Sequence, residues 1–275
     1  MSARIPADRG RIGRRDFLEA GARRLGALAA GLTGTAAWAG LTQDGRPTAA
    51  QRKGRVGARP GQPSERLAPG RHFLGLGSER DSPRRDGVIY VPASYSPGTP
   101  APLVLMLHGA GGSAAGGLRP FEGLANEKGF VLLAPDSRSM SWDVRFGGFG
   151  PDVAFIDRAL ARVFQSCAID PARIAVEGFS DGASYALALG LANGDLFRRI
   201  VAFSPGFLVL PEPAGKPGVF ISHGTRDEVL DVDRSSRVIV PRLRRAGYEV
   251  QYREFEGGHR VPPEIATEAA EWLVS

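Results

Sequence analysis

The chain has 275 residues, 43% of them hydrophobic, which is enough apolar material for one sizeable α/β domain and excludes disorder for the bulk of it. Its formal charge of +6 is unevenly placed: residues 1–39 carry seven Lys/Arg against three Asp/Glu, residues 40–70 six against two, and the rest 22 against 24. The body is therefore nearly neutral, and nucleic-acid binding loses its main support. Cys167 is the single cysteine, so an intrachain disulfide and a cysteine-based metal cluster are both excluded.

Residues 1–39 read as an export signal: basic residues up to Arg24, an Ala/Leu-rich stretch from Leu25 to about Trp38, then Ala37-Trp38-Ala39 as a small-x-small cleavage site. Within it, Arg14-Arg15-Asp16-Phe17-Leu18 resembles the twin-arginine motif, with Gly13 and Glu19 departing from that pattern. The apolar run is too short to span a bilayer and no Cys follows it, so no stable membrane anchor is expected; the protein should be periplasmic or extracellular in a bacterium. Residues 40–70, rich in Gly, Pro, Arg and Gln without apolar periodicity, read as a mobile, disordered linker, and the catalytic domain is expected to cover 71–275.

From Arg71 onward, short β-type runs alternate with helix-length stretches, which predicts a doubly wound, mostly parallel sheet of about eight strands with helices on both faces. The strands are expected at His72 to Leu76, Val88 to Val91, Leu103 to Leu107, Val131 to Ala134, Ile174 to Glu177, Ile200 to Phe203, Val219 to Ser222 and Val250 to Phe255. The helices are expected at Pro151 to Gln165, Asp181 to Ala192, Ser235 to Ala246 and Pro263 to Leu273.

The segment Gly178-Phe179-Ser180-Asp181-Gly182 follows a β-type run and precedes a helical one. Strand, sharp turn and helix are what a nucleophilic serine requires, because two glycines let backbones cross closely and the helix N-terminus points at the hydroxyl. Upstream, Leu103 to Leu107 runs into the glycine-rich loop His108-Gly109-Ala110-Gly111-Gly112. The amides of Ala110 and Asp181 are the expected oxyanion donors. Phosphate binding is the alternative use of such a loop, but it lacks the Lys-Ser/Thr ending of a P-loop.

Among four histidines, only His259 has the chain order nucleophile, acid, base, and so it is the expected general base. His72 and His108 suit structural roles, and His223 ends a strand. Asp227 is the expected acid that orients His259, with Glu228, Asp231 and Asp233 as rivals. Trp142, in the glycine- and aromatic-rich segment 139–150, is a candidate to stack on substrate or else to pack beneath the loop. The Pro-rich segment 205–217 suits a rim of the site.

Through Leu107-His108-Gly109-Ala110-Gly111-Gly112, Gly178 to Gly182, His223-Gly224-Thr225-Arg226-Asp227 and Gly257-Gly258-His259, the chain resembles the α/β-hydrolase superfamily. Within it, the likeness is to the small esterases of the phospholipase/carboxylesterase and dienelactone-hydrolase-like groups, and more loosely to secreted feruloyl esterases and polyhydroxybutyrate depolymerases. The resemblance implies a cofactor-free and metal-free serine hydrolase that cleaves a small-molecule carboxylic ester through an acyl-enzyme. Amide, thioester or peptide cleavage on the same residues, or a non-catalytic binding module, are the alternatives. Nothing in the sequence points to an oligomeric state. Ser180 stands where dienelactone hydrolases use cysteine, and Asp181 sets a carboxylate beside the expected oxyanion hole. The Asp181 side chain must point away or be paired, since its charge would oppose a developing oxyanion.

Overall fold

The computed structural model describes residues 47–76 and 86–275. The expected export signal, with its twin-arginine and cleavage motifs, lies outside the described residues.

The described chain opens with a short helix, α1 (Ala49–Arg52), capped by Thr48, and a strand, β1 (Gly70–Phe73). Then follow β2 (Gly87–Val91), β3 (Ala101–Leu107), α2 (Ala114–Leu118), α3 (Glu122–Lys128) and β4 (Val131–Pro135). A 3-10 turn over Asp143–Phe146 leads to α4 (Pro151–Ser166), β5 (Ile169–Phe179), α5 (Asp181–Ala192) and β6 (Arg199–Phe203). The chain ends with β7 (Gly218–Gly224), α6 (Ser236–Arg245), β8 (Val250–Phe255) and α7 (Pro263–Val274).

The eight strands form one sheet in the order β1-β2-β4-β3-β5-β6-β7-β8; the β1–β2 and β2–β4 pairings are antiparallel and every pairing from β4 to β8 is parallel. All eight expected strands are present, with ends shifted by up to five residues, the largest shift being at the start of β5. The central ones lack alternation because both faces are covered: β3 and β4 are buried at every position. One apolar cluster on one face includes Leu103, Leu105, Val176, Ile200 and Ile221; the cluster on the other includes Val104, Met106, Ala175, Val201 and Phe220. The i, i+2 alternation of strand side chains separates the two sets.

Helix α5 is buried along its whole length, so its apolar character runs all round rather than along one stripe. It packs against β5 and β6 from the core of the domain. The carboxyl ends of β3, β5, β7 and β8 release the loops that carry Ala110, Ser180, Asp227 and His259, the edge of an open α/β sheet where ligands bind.

The linker expectation is corrected over its described part. Residues 47–58 are fastened to the domain by polar groups that α4 and the end of α5 contribute. Asp157 accepts from the amides of Gly57 and Ala58 at 2.8 Å each and from the Gln51 side chain at 3.3 Å. Asn193 accepts from the Val56 amide at 3.0 Å and donates to the Gly54 carbonyl at 2.7 Å. Val56 is itself buried in the core. The anchors lie about a hundred residues downstream, so local composition carries no sign of them.

Candidate active site

The backbone brings Ser180 to a sharp point. Its φ of 58° and ψ of −122° lie where a non-glycine residue is strained, by about 1–3 kcal/mol, and its amide is tied to the Phe203 carbonyl at 2.9 Å. The flanking glycines are required by contact. A Cβ on Gly178 would stand 2.1 Å from the Gly182 carbonyl oxygen, and one on Gly182 would stand 2.1 Å from that of Leu107. The turn therefore presses α5, β5 and β3 together at the serine.

Ser180 Oγ lies 2.9 Å from His259 Nε2, and His259 Nδ1 lies 2.6 Å from Asp227 Oδ2. A carboxylate only accepts, so Nδ1 carries the hydrogen and the bare Nε2 is left to accept from the hydroxyl. Burial pushes the Asp227 carboxyl up, but hydrogen bonds from the Leu230 amide, His259 and the Val229 amide outweigh it and hold the group below its ordinary value. With Oδ1 taken by those two amides at 2.8 and 2.9 Å, Oδ2 is aimed at the imidazole. The rival acids are placed elsewhere: Glu228 is exposed, Asp231 caps the Arg234 amide and Asp233 pairs with Arg237.

The other histidines are committed elsewhere. His223 is buried between Ser236 Oγ and the Leu230 carbonyl, 3.3 Å from Asp227, and burial lowers its affinity for a proton. His108 donates from Nδ1 to the Gly109 carbonyl at 2.7 Å and accepts at Nε2 from the Ser137 amide at 3.0 Å. It thereby stiffens the loop that holds Ala110. That loop abuts the serine, since a Cβ on Gly109 would lie 3.4 Å from the Ser180 Cβ. His72 meets the Ala68 carbonyl at 2.7 Å at the domain's edge.

Trp142 is corrected as a substrate-facing residue. It is 1% exposed, its Nε1 donates to the His108 carbonyl at 2.7 Å, and its ring lies against His108 and Tyr185 at 5.0 and 5.1 Å. The indole N–H needed a buried acceptor, and the loop carbonyl supplies one, so the ring packs beneath the site rather than lining it. From the same segment, Met140 and Phe146 are the exposed apolar side chains.

Asp181 is 4% exposed, and both its carboxylate oxygens are bound: Oδ2 accepts from Ser141 Oγ at 2.8 Å and Oδ1 from Arg145 Nη1 at 2.6 Å. The side chain is thus paired, as its place beside the loop demands. Ser141 and Arg145 lie in the segment 139–150 expected beside the site, but their pairing with Asp181 is not readable from sequence, since the 3-10 turn Asp143–Phe146 that delivers Arg145 is too short to leave a periodic pattern. A cleft of about 460 Å³ adjoins the site, walled in part by Gly109, Ala110, Phe179 and His259. Among the described residues no group of three or more His, Cys, Asp or Glu side chains converges to hold a metal ion, and no helix is long and apolar enough to cross a membrane.

The sequence pattern of the phospholipase/carboxylesterase family matches residues 154–274. Feruloyl esterase C of Emericella nidulans is 30% identical over 157 residues, 54% of this chain and 57% of that one. The chain thus spans little more than half the length of the curated relatives it matches. Among solved structures, esterase PE8 is 24% identical with a TM-score of 0.56, covering 68% of this chain and 96% of that one. The ferulic acid esterase of Anaeromyces mucronatus without substrate is 20% identical with a TM-score of 0.56, covering 82% and 94%. The chain thus shares the α/β-hydrolase fold of these esterase structures, and over part of its length it is similar in sequence to the phospholipase/carboxylesterase family and to feruloyl esterases.

Proposed function

We propose that the protein is a serine esterase that hydrolyses a small carboxylic ester through an acyl-enzyme on Ser180. The observation that carries this reading is the hydrogen-bonded series from Asp227 through His259 to Ser180, with the imidazole held in the tautomer that accepts the serine proton. His259 takes that proton as Ser180 Oγ attacks the ester carbonyl, and Asp227 stabilises the imidazolium without being protonated itself. The amides of Ala110 and Asp181 receive the oxyanion. Collapse of the tetrahedral species breaks the bond to the alcohol, whose oxygen receives the proton from His259. Water then attacks the acyl carbonyl, gives its proton to His259, and releases the acid as Ser180 regains its hydrogen.

The likenesses to feruloyl esterases support placing esters of hydroxylated aromatic acids in the first substrate panel. Hydrolysis of nitrophenyl esters by the wild type, reduced by at least about 10³-fold in Ser180→Ala and in His259→Ala, is the expected result. Turnover that survives both substitutions would overturn the proposal. Residues 1–39 support export by the twin-arginine route; Arg14→Lys with Arg15→Lys should then leave the protein in the cytoplasmic fraction, and unchanged export would refute that route.

A further inference from the structure

Glu177 is a carboxyl group that the mechanism does not use. It lies on β5, three residues before Ser180, paired in register with Met106 and Val201, and it is 4% exposed. Alternation along β5 places it on the face of Ala175 and Phe179, among the apolar cluster that includes Phe121, Phe203 and Ala266. Among the described residues no cation or hydrogen-bond donor partners it. An ionised carboxylate in such a place costs several kcal/mol, and burial accordingly pushes Glu177 well above the ordinary carboxylate range, which favours its protonated form. An apolar side chain of the same size would leave no polar group unsatisfied there.

The group opens on the cleft of about 460 Å³ beside the site, together with Leu107, Phe121, Phe179 and His259. Gly116, Pro120 and Arg260 at the lining are exposed, so the cleft reaches solvent between α2 and the His259 loop. His259 is one of its walls, and on the esterase reading this is the side to which the leaving oxygen must point in order to receive its proton.

We propose that this cleft takes the alcohol part of the ester and that Glu177 selects alcohols with an apolar body bearing a second, uncharged oxygen. A protonated carboxyl both donates and accepts, so it satisfies a hydroxyl fully and an ether by donation. The surrounding apolar walls hold the rest of the group and reject an anion. The inference rests on the esterase reading for the identity of the occupant, but the cleft's preference for an oxygen-bearing body is a binding property of its own. Glu177 is a specificity residue here; it transfers no proton in the reaction.

The test compares kcat/KM for phenethyl, para-hydroxyphenethyl and para-carboxyphenethyl butyrate in the wild type, Glu177→Met and Glu177→Gln. The wild type should favour the hydroxylated ester over the plain one by roughly tenfold or more. That ratio should fall to near one in Glu177→Met and be largely kept in Glu177→Gln, while the carboxylated ester remains the poorest substrate. The same hydroxyl moved to the acyl side, in ethyl para-hydroxyphenylpropanoate, should not respond to either substitution. A ratio unchanged in Glu177→Met, or a response on the acyl side alone, would overturn the inference. Calorimetric titration with para-hydroxyphenethyl alcohol and phenethyl alcohol reads the same preference without turnover. If no ester is hydrolysed but the hydroxylated alcohol binds at least tenfold more tightly and only while Glu177 is present, the cleft assignment stands and the esterase reading fails. Equal binding of both alcohols to the wild type refutes the cleft assignment whatever the esterase activity.

Discussion

Replacing Arg145 by Ala removes the cation from a carboxylate that is buried next to the proposed oxyanion site. Asp181 would keep only the Ser141 hydroxyl, at 2.8 Å, while its own amide is one of the two proposed oxyanion donors. Two unit charges a few ångström apart interact by a few kcal/mol at an effective dielectric of about 20. Arg145 is half exposed, however, and water entering its place would screen much of this, leaving about 1–2 kcal/mol against the transition state. The expected outcome is a fall in kcat of about 5–30-fold with little change in KM, because the ground-state carbonyl carries no full charge. Steady-state kinetics on one nitrophenyl ester reads this. Asp181→Asn removes the charge and keeps the amide, so it should retain wild-type kcat and make Arg145→Ala harmless when the two are combined. Equal kcat in Arg145→Ala and wild type, or a double variant as slow as Arg145→Ala, would refute the reasoning.

Two stability predictions follow from buried carboxylates. Burial, with Asp152 nearby, pushes Asp143 up to about 7. Between its ordinary value near 4 and about 7 the folded state therefore binds more protons than the unfolded one, so this group's contribution falls as pH rises through that window and is level above it. Asp143→Asn should match wild type in denaturant melts near pH 4 and exceed it at pH 8 by about 1–2 kcal/mol after solvent screening; a variant that loses stability at pH 8 would contradict this. Asp157→Ala should cost about 2–3 kcal/mol, since it strands the amides of Gly57 and Ala58, and should lower Tm by roughly 4–10 °C in calorimetry. An unchanged Tm would mean that residues 47–58 do not contribute to the fold.

What was legible in the sequence was whatever chain order and period express. The eight strands appear because each is a β-branched or apolar run between turn residues, and α5 appears because Ala183 to Leu189 continues straight from the serine turn. Ser180 is legible from its strand, turn and helix context, Asp227 from its place beyond a strand end and His259 from its order in the chain, and the structure brings those three side chains together. Illegible were the contacts between groups that sequence separation hides. Nothing local to Asp157 or Asn193 announces that they hold residues 47–58. Asp181 drew notice as a misplaced charge, but its partner Arg145 sits 36 residues away on a single 3-10 turn. Helices α2 and α3, of five and seven residues, are too short for apolar periodicity to show. Trp142 offered the same aromatic signal whether it lined the site or packed beneath it, and only the His108 carbonyl decided between the two. Glu177 passed as one polar residue at the end of an apolar strand because its surroundings are supplied by α2, α3 and α7.

The central claim is that Ser180 is the nucleophile that His259 activates. Intact-mass spectrometry after treatment with a fluorophosphonate, followed by peptide mapping, tests it directly. The account predicts one adduct per chain, located on Ser180, absent in Ser180→Ala and formed far more slowly in His259→Ala. An adduct that persists in Ser180→Ala, or maps to another residue in the wild type, would contradict it.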